Sequence, residues 1–357
     1  MSRQRIRYVR STDGARLAWA DAGDGPVIVK AANWLTHLEY DLQSPVWSHW
    51  LEFFSDHFRL IRYDERGSGM SDWDVGISFD QWMDDFERVI EAADLREPFT
   101  LLGVSQGAAV SIAYAVRHPE RVSRMILYGG YARGWARREH PAGHREYAAI
   151  VELVRAGWGR SNPAFRQVFT SRFIPRGSDE QIEWFNELCR KTTTPEMAAN
   201  LLNVRATIDV LPLLPQVRTP TLVIHARNDA VTPIHEGRIL AEGIAGAEFV
   251  ELDSENHILL RDEPAWPRFR DVILEFMGAA PARANDVFQS LSPREREVLA
   301  LLAEGLGNAE VAARLSISEK TVRNHVTRLF DKLGVWTRAQ AIVFAHDAGL
   351  RMGQRSH

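Results

Sequence analysis

Cysteine is nearly missing from this sequence: Cys189 is the only one in 357 residues. No internal disulfide and no cysteine-built zinc site can therefore form within the chain. Long apolar runs are also missing, both at the N-terminus, "MSRQRIRYVRSTDGARLAWADAG", and further on, which argues against a signal peptide or a membrane span. A charge excess of one sign is lacking too. Lys and Arg number 43 against 47 Asp and Glu, a net charge of -4, so nothing draws the whole chain to nucleic acid and any basic surface must be local. His, Asp and Glu do not cluster at metal-ligand spacing, and no internal repeat or low-complexity tract is evident. The resulting expectation is a soluble, cytoplasmic protein with no membrane partner, no metal and no cofactor.

What is present divides in two, as the length suggests. From Pro26 short apolar runs alternate with helical text: "PVIVKAAN", "FRLIRYDERGSG", "PFTLLGVSQG", "VSRMILYGG", "PTLVIHARND" and "AEFVELDSENH". Such runs predict an α/β fold, a doubly wound and mostly parallel sheet covered on both faces. Between about residues 132 and 212 the strand signal gives way to aromatic-rich helical text, read as a helical cap. This first domain is placed at residues 1–279. A small, polar stretch around Ala280 to Asp286 marks a linker at 280–287, long enough to separate the parts. Residues 288–357 form a second, small all-α domain.

In the first domain, Gly103-Val104-Ser105-Gln106-Gly107 follows a strand and precedes a small-residue helix. Two glycines at that spacing permit a tight strand-to-helix turn that lifts Ser105 above the sheet. A serine hydroxyl is a weak nucleophile alone and needs a histidine base with a carboxylate to orient it. Asp229 ends the strand "TLVIHARND" and His257 follows "AEFVELD", which supplies both in the order Ser, Asp, His. With "YDERGSGMSD" (Tyr63 to Asp72), these features resemble the α/β-hydrolase superfamily over about residues 5–278. The resemblance implies an oxyanion hole from the backbone N–H of Gln106 and one from the loop after the third strand, at Asn33. That loop departs from the family: Ala31 and Ala32 stand where many relatives have His-Gly. Trp34, Trp135, Trp158 and Trp184 are expected to line an apolar ligand pocket, suited to a small hydrophobic ester, lactone or similar compound.

The second domain opens on Ser292-Pro293-Arg294-Glu295, a capping box with proline at the first helical position. Gly305 stops that helix, Asn308 caps a second and Ser318 a third. On the third, Val322, Val326, Leu329 and Leu333 make one apolar stripe. Lys320, Asn324, Thr327 and Arg328 occupy the opposite face, Arg323 its flank, and His325 the stripe's edge. The segment from Asn285 holds ten basic and eight acidic residues, so the basic excess is small but concentrated on one helix. From about Phe288 to Leu350 the text resembles the LuxR-type DNA-binding domain, a four-helix helix-turn-helix unit, with Gly307 where the family has serine. The resemblance implies base-edge contacts by Arg323, Asn324 and Thr327, phosphate contacts by Lys320, Thr321 and Arg328, and dimerisation through the last helix. Independently, Arg can pair with guanine and Asn with adenine in the major groove.

The two halves together point to a DNA-binding transcriptional regulator whose hydrolase-fold domain senses a small hydrophobic ligand, acting as a homodimer on double-stranded DNA. In that reading Ser105 contacts the ligand, is acylated by it, or hydrolyses it slowly. Two other readings stand beside it. One is a working serine hydrolase of the esterase or lactonase type with DNA binding for autoregulation. The other is a constitutive regulator whose sheet domain only supports dimerisation.

Overall fold

The N-terminal half of the computed structural model is built on one eight-stranded sheet. The structure describes residues 4–138, 141–278, 291–333, 335 and 337–347. Strands β1 (Arg5–Arg10), β2 (Arg16–Ala22), β3 (Val27–Ala31), β4 (Arg59–Tyr63), β5 (Phe99–Val104), β6 (Val122–Tyr128), β7 (Thr221–Ala226) and β8 (Glu248–Leu252) lie in the order β1-β2-β4-β3-β5-β6-β7-β8. β1 pairs antiparallel with β2, and β2 with β4; every pairing from β4 to β8 is parallel. Central strands β5 and β7 are buried at every position, which requires cover on both faces and explains their unbroken apolar text.

Helices α1 (Ser48–His57), α2 (Phe79–Ala92), α3 (Gly107–Arg117), α8 (Ile234–Gly243) and α9 (Ala265–Phe276) supply that cover. Trp50 and Phe53 of α1 meet Trp266 and Phe269 of α9, and Tyr128 of β6 joins this aromatic cluster. Between α2 and α3, the rings of Phe86 and Tyr114 make an edge contact at 5.2 Å. The cap falls between β6 and β7 as α4 (Pro141–Gly157), α5 (Ala164–Phe173), α6 (Asp179–Thr192) and α7 (Pro195–Thr207). A buried arginine organises it: Arg166 donates from Nε to the Asn186 carbonyl at 3.0 Å and from Nη1 to that of Trp158 at 2.8 Å.

The hairpin β1–β2 precedes the first strand expected from the sequence. "RIRYVR" carries cations at Arg5, Arg7 and Arg10 and has no fully buried position, so its apolar signal is weak, as befits an edge strand.

Contacts divide the chain into two compact units, Met1–Ile273 and Leu274–His357, a division within the last turn of α9. The stretch 280–287, read as a linker, lies outside the described residues. The second unit holds α10 (Pro293–Ala303), α11 (Asn308–Leu315), α12 (Glu319–Leu333) and α13 (Arg338–Asp347) around a core of Leu291, Val298, Leu299, Leu302, Val311, Val322, Leu329, Ala341 and Ala345. Val322, Leu329 and Leu333 of the expected stripe are buried and Val326 is partly so. The expected capping box at α10 is formed, with Ser292 Oγ accepting the Glu295 N–H and the Glu295 carboxylate accepting the Ser292 N–H. Ser318 Oγ accepts the Thr321 N–H at 3.1 Å. Asn308 does not cap α11: it is the first helical residue, and Gly307 stands at the cap with its N–H held by Glu310 at 2.6 Å. A glycine cap lacks a side-chain acceptor, so a carboxylate in the first turn takes over.

Candidate active site and nucleic-acid interface

Ser105 occupies the turn between β5 and α3 with φ at +54°, a left-handed conformation that costs energy outside glycine. The turn is held because its surroundings leave no other path. A Cβ on Gly103 would lie 2.6 Å from the Ala108 Cα, and one on Gly107 3.0 Å from the carbonyl oxygens of Ala31 and Ala32. The Ser105 N–H donates to the Tyr128 carbonyl at 2.9 Å, which ties the turn to β6.

Asp229 follows β7, and its carboxylate is fully engaged. Oδ1 accepts the N–H groups of Val231 and Thr232 at 2.8 and 2.9 Å, while Oδ2 accepts His257 Nδ1–H at 2.6 Å. That bond fixes the tautomer and leaves His257 Nε2 buried, free of any hydrogen-bond partner among the described residues. An unprotonated nitrogen in that position can take a proton from a serine hydroxyl. His225 lies 3.8 Å from Asp229 Oδ2 and bonds the Thr232 carbonyl through Nε2 at 2.7 Å. Burial depresses its pKa below the ordinary imidazole value, against the opposing pull of the Thr232 carbonyl and Asp229. Gly129, just after β6, makes room for the cluster: a Cβ there, at φ +57°, would come 3.0 Å from the His257 Cε1.

The loop after β3 carries Asn33, the second of the two expected oxyanion donors. The Gln106 side chain bridges to it, accepting the Trp34 N–H on Oε1 at 3.0 Å and donating from Nε2 to the Ala32 carbonyl at 3.4 Å. The Asn33 side chain points elsewhere, accepting from Lys30 Nζ and donating to the Trp34 carbonyl. Lys30 is a buried cation inside β3; burial pulls it down to about 8, against the opposing pull of Asp41, Asp64 and Glu65. The structure thus replaces the family's His-Gly with Ala31-Ala32 and stiffens the loop from both sides through Gln106 and Lys30.

A cavity of about 70 Å³ opens beside Ser105, room for a few water-sized groups where a single water needs roughly 10–15 Å³. Trp34, Trp135 and Phe169 line it together with Tyr131, Leu202 and Arg205. Two of the four expected tryptophans are not in its lining. Trp158 sits a layer behind, with its ring edge-on to Trp34 at 5.7 Å and to Phe169 at 5.5 Å. Trp184 is on α6 and stacks on Tyr40 at 4.8 Å. Trp158 follows the end of α4 and Trp184 lies within α6, and in aromatic-rich text of this kind packing and lining leave the same trace in sequence. Arg138, Arg172 and Arg205, which do line the cavity, were not expected: an arginine in helical text reads as a solvated face.

On α12, Lys320, Arg323, Asn324, Thr327 and Arg328 are exposed and Thr321 is half exposed, which leaves the six expected DNA-contacting side chains within reach of a groove. Arg323 pairs with Glu319 at 3.0 Å one turn earlier, and Thr321 is engaged with Ser318. Lys332, on the same helix, pairs with the buried Glu295 at 2.8 Å. Among the described residues no helix is long and apolar enough to cross a membrane.

Known proteins match both halves. The AB hydrolase superfamily protein YisY of Bacillus subtilis (strain 168) is 28% identical over 257 residues, covering 70% of this chain and 91% of its own. The solved esterase EaEST from Exiguobacterium antarcticum superposes with a TM-score of 0.64 at 22% identity, over 76% of this chain and 98% of that one. For the C-terminal region, the DNA-binding transcriptional activator DevR/DosR of Mycobacterium tuberculosis is 48% identical over 64 residues, 18% of this chain and 30% of its own. Residues 50–264 match the model described as serine aminopeptidase, S33, and residues 289–345 that of the bacterial regulatory proteins of the luxR family. The chain therefore belongs to the α/β-hydrolases of the S33 serine aminopeptidase family and carries, fused after that domain, a luxR-family DNA-binding domain.

Proposed function

We propose that this protein is a cytoplasmic transcriptional regulator that binds double-stranded DNA as a homodimer and reads a small ligand in the cavity beside Ser105. One observation carries the reading: Ser105 lines a cap-covered, largely apolar cavity in a domain where Asp229 holds a buried His257, and the same chain presents an exposed Arg, Asn and Lys face on a helix-turn-helix. A ligand that binds one conformation of the hydrolase-fold domain better shifts the population able to engage DNA, whereas an equal binder shifts nothing. Dimerisation is assigned to α13, whose Ala341 and Ala345 face the core.

The site supports a second reading, a working esterase or lactonase, because Asp229 holds His257 in the tautomer that leaves Nε2 able to accept a proton. In that chemistry Ser105 Oγ bonds to the carbonyl carbon while its proton passes to His257 Nε2, and the oxyanion rests on the N–H of Gln106 and that of Asn33. Collapse breaks the ester bond, and the departing alkoxide takes the proton from His257. Water, deprotonated by the same nitrogen, then releases the acid and restores Ser105.

Intact mass after exposure to a fluorophosphonate separates these readings, with Ser105→Ala as control. Labelling of the wild type alone is expected; absence of labelling removes the nucleophile from both readings. DNA affinity is then measured with and without hydrophobic esters and lactones. A ligand-dependent change in affinity is the expected result for a sensor, and turnover with unchanged affinity overturns sensing in favour of the hydrolase.

A further inference from the structure

Ala31 and Ala32 lead into the loop after β3 without a side-chain hydrogen-bonding group between them, so the loop takes its shape from other residues. Gln106, the residue after Ser105 and only 1% exposed, grips it on both sides of Asn33. Its Oε1 accepts the Trp34 N–H at 3.0 Å, and its Nε2 donates to the Ala32 carbonyl at 3.4 Å. The second bond is long, but the direction of that carbonyl is set independently. A Cβ on Gly107 would lie 3.0 Å from the carbonyl oxygens of Ala31 and Ala32, so both are turned toward the first turn of α3.

That direction matters because of peptide geometry. The Ala32 carbonyl and the Asn33 N–H belong to one planar unit, trans like every peptide among the described residues, and in a trans unit the two groups point in opposite directions. Holding the Ala32 oxygen toward α3 therefore aims the Asn33 N–H away from it. The neighbouring groups are held as well. The Asn33 side chain is engaged by Lys30 and the Trp34 carbonyl, and the Trp34 ring stacks on Phe169 at 6.0 Å with the Arg205 guanidinium over it at 4.5 Å. The Trp34 N–H is already taken by Gln106, which leaves Asn33 as the donor of this loop.

We infer that the Gln106 carboxamide is the positioning group of the oxyanion site: it fixes the Ala32–Asn33 peptide so that the Asn33 N–H converges with the backbone N–H of Gln106 on one acyl oxygen. This deepens the reading of Ser105 as an acyl-transfer nucleophile and rests on it. One residue then supplies a donor through its backbone and aims the other through its side chain. Substituting the side chain leaves the first donor in place and releases only the second.

The test is the rate of fluorophosphonate labelling of the full chain, resolved into kinact and KI. In that reaction Ser105 Oγ bonds to phosphorus as its proton passes to His257 Nε2, fluoride departs, and the phosphoryl oxygen occupies the place of the acyl oxygen. Gln106→Met keeps the length of the side chain without its hydrogen bonds. It is expected to lower kinact by about 10- to 100-fold, less than the roughly 10²–10³ lost with a whole donor. KI is expected to stay within about two-fold of wild type, since the donor acts on the transition state. The phosphorus NMR resonance of the folded adduct is expected to move toward that of the urea-unfolded adduct, a sign of weaker hydrogen bonding to the phosphoryl oxygen that a merely structural glutamine would not give. Gln106→Asn, one methylene shorter, carries the test if the methionine variant fails to fold. A kinact within about two-fold of wild type, a loss confined to KI, or an unmoved phosphorus resonance would overturn the inference while leaving Ser105 a nucleophile. A wild type that is not labelled removes the nucleophile itself, and the inference falls with it.

Discussion

Phe173 and His257 are joined twice: the Phe173 carbonyl accepts the His257 N–H at 2.9 Å, and their rings meet edge to face at 5.3 Å. The last residue of cap helix α5 thus positions the histidine expected to serve Ser105. Arg176, just beyond, extends the connection through the Asn256 side chain and an ion pair with Glu255 at 2.8 Å. This end of the cap and the loop that carries His257 are therefore mechanically joined.

Replacing Asp229 by Asn tests the orientation of that base. The Asn side-chain oxygen can still accept the Val231 and Thr232 N–H groups, so the turn survives, but its amide nitrogen then faces His257 Nδ1 and favours the wrong tautomer. The fluorophosphonate labelling rate is expected to fall by about 10⁴ with little change in the urea midpoint. A labelling rate within ten-fold of wild type would show that His257 does not depend on this carboxylate.

Gly129 gives a second, steric test. In Gly129→Ala the new methyl would meet His257 at 3.0 Å from a backbone at φ +57°. The left-handed backbone costs about 1–2 kcal/mol, and displacing the imidazole by a fraction of an ångström is expected to slow labelling by roughly 10². Stability and labelling are measured together; a loss of stability with an unchanged labelling rate would place the contact outside the chemistry.

His49 predicts how the first unit responds to acid. Its Nε2–H donates to the Leu259 carbonyl at 3.0 Å, and Nδ1 is buried without a partner among the described residues. Burial holds its pKa down to about 3. Between the ordinary imidazole value and that figure the unfolded chain binds a proton that the folded chain does not, so stability falls as pH drops through this window, by about 1.4 kcal/mol per unit from this group. His49→Gln can keep the bond to Leu259 without titrating. Urea unfolding at pH 7 and pH 5 is expected to show a shallower loss in that variant; identical slopes would assign the acid sensitivity elsewhere.

Lys320 and Lys332 lie on one helix but answer to different partners. On full-length protein and a random-sequence duplex, Lys320→Ala is expected to reduce the slope of log affinity against log salt by about 0.9, one phosphate's worth. Lys332→Ala is expected to leave that slope unchanged and to lower the melting temperature, because its ammonium serves Glu295. The reverse pattern would exchange the two roles.

Much of this was legible in the sequence, for identifiable reasons. Ser105, Asp229 and His257 announce themselves because a nucleophile turn needs glycines at fixed offsets and its partners end later strands. The capping box at Ser292 and the stripe Val322, Leu329, Leu333 are local patterns of the same kind. What escaped depends on contacts distant in sequence. Arg205 reaches Glu65 across 140 positions, and no periodicity in α7 distinguishes it from a solvated arginine. Trp158 and Trp184 share the composition of a pocket wall without its position. Lys30 inside β3 looks like an interruption of a buried strand, yet it serves the loop beside Ser105.

Glu295 has a consequence for how the second unit comes apart. One carboxylate accepts the Ser292 N–H at the start of α10 and Lys332 Nζ near the end of α12, and these partners hold its pKa down to about 2. The beginning of α10 and the end of α12 are therefore coupled through one carboxylate. In amide exchange the two segments should share a single opening free energy and behave as one cooperative element. DNA that steadies α12 would then slow exchange at Ser292 and its neighbours, residues on a different helix from every side chain expected to touch the duplex.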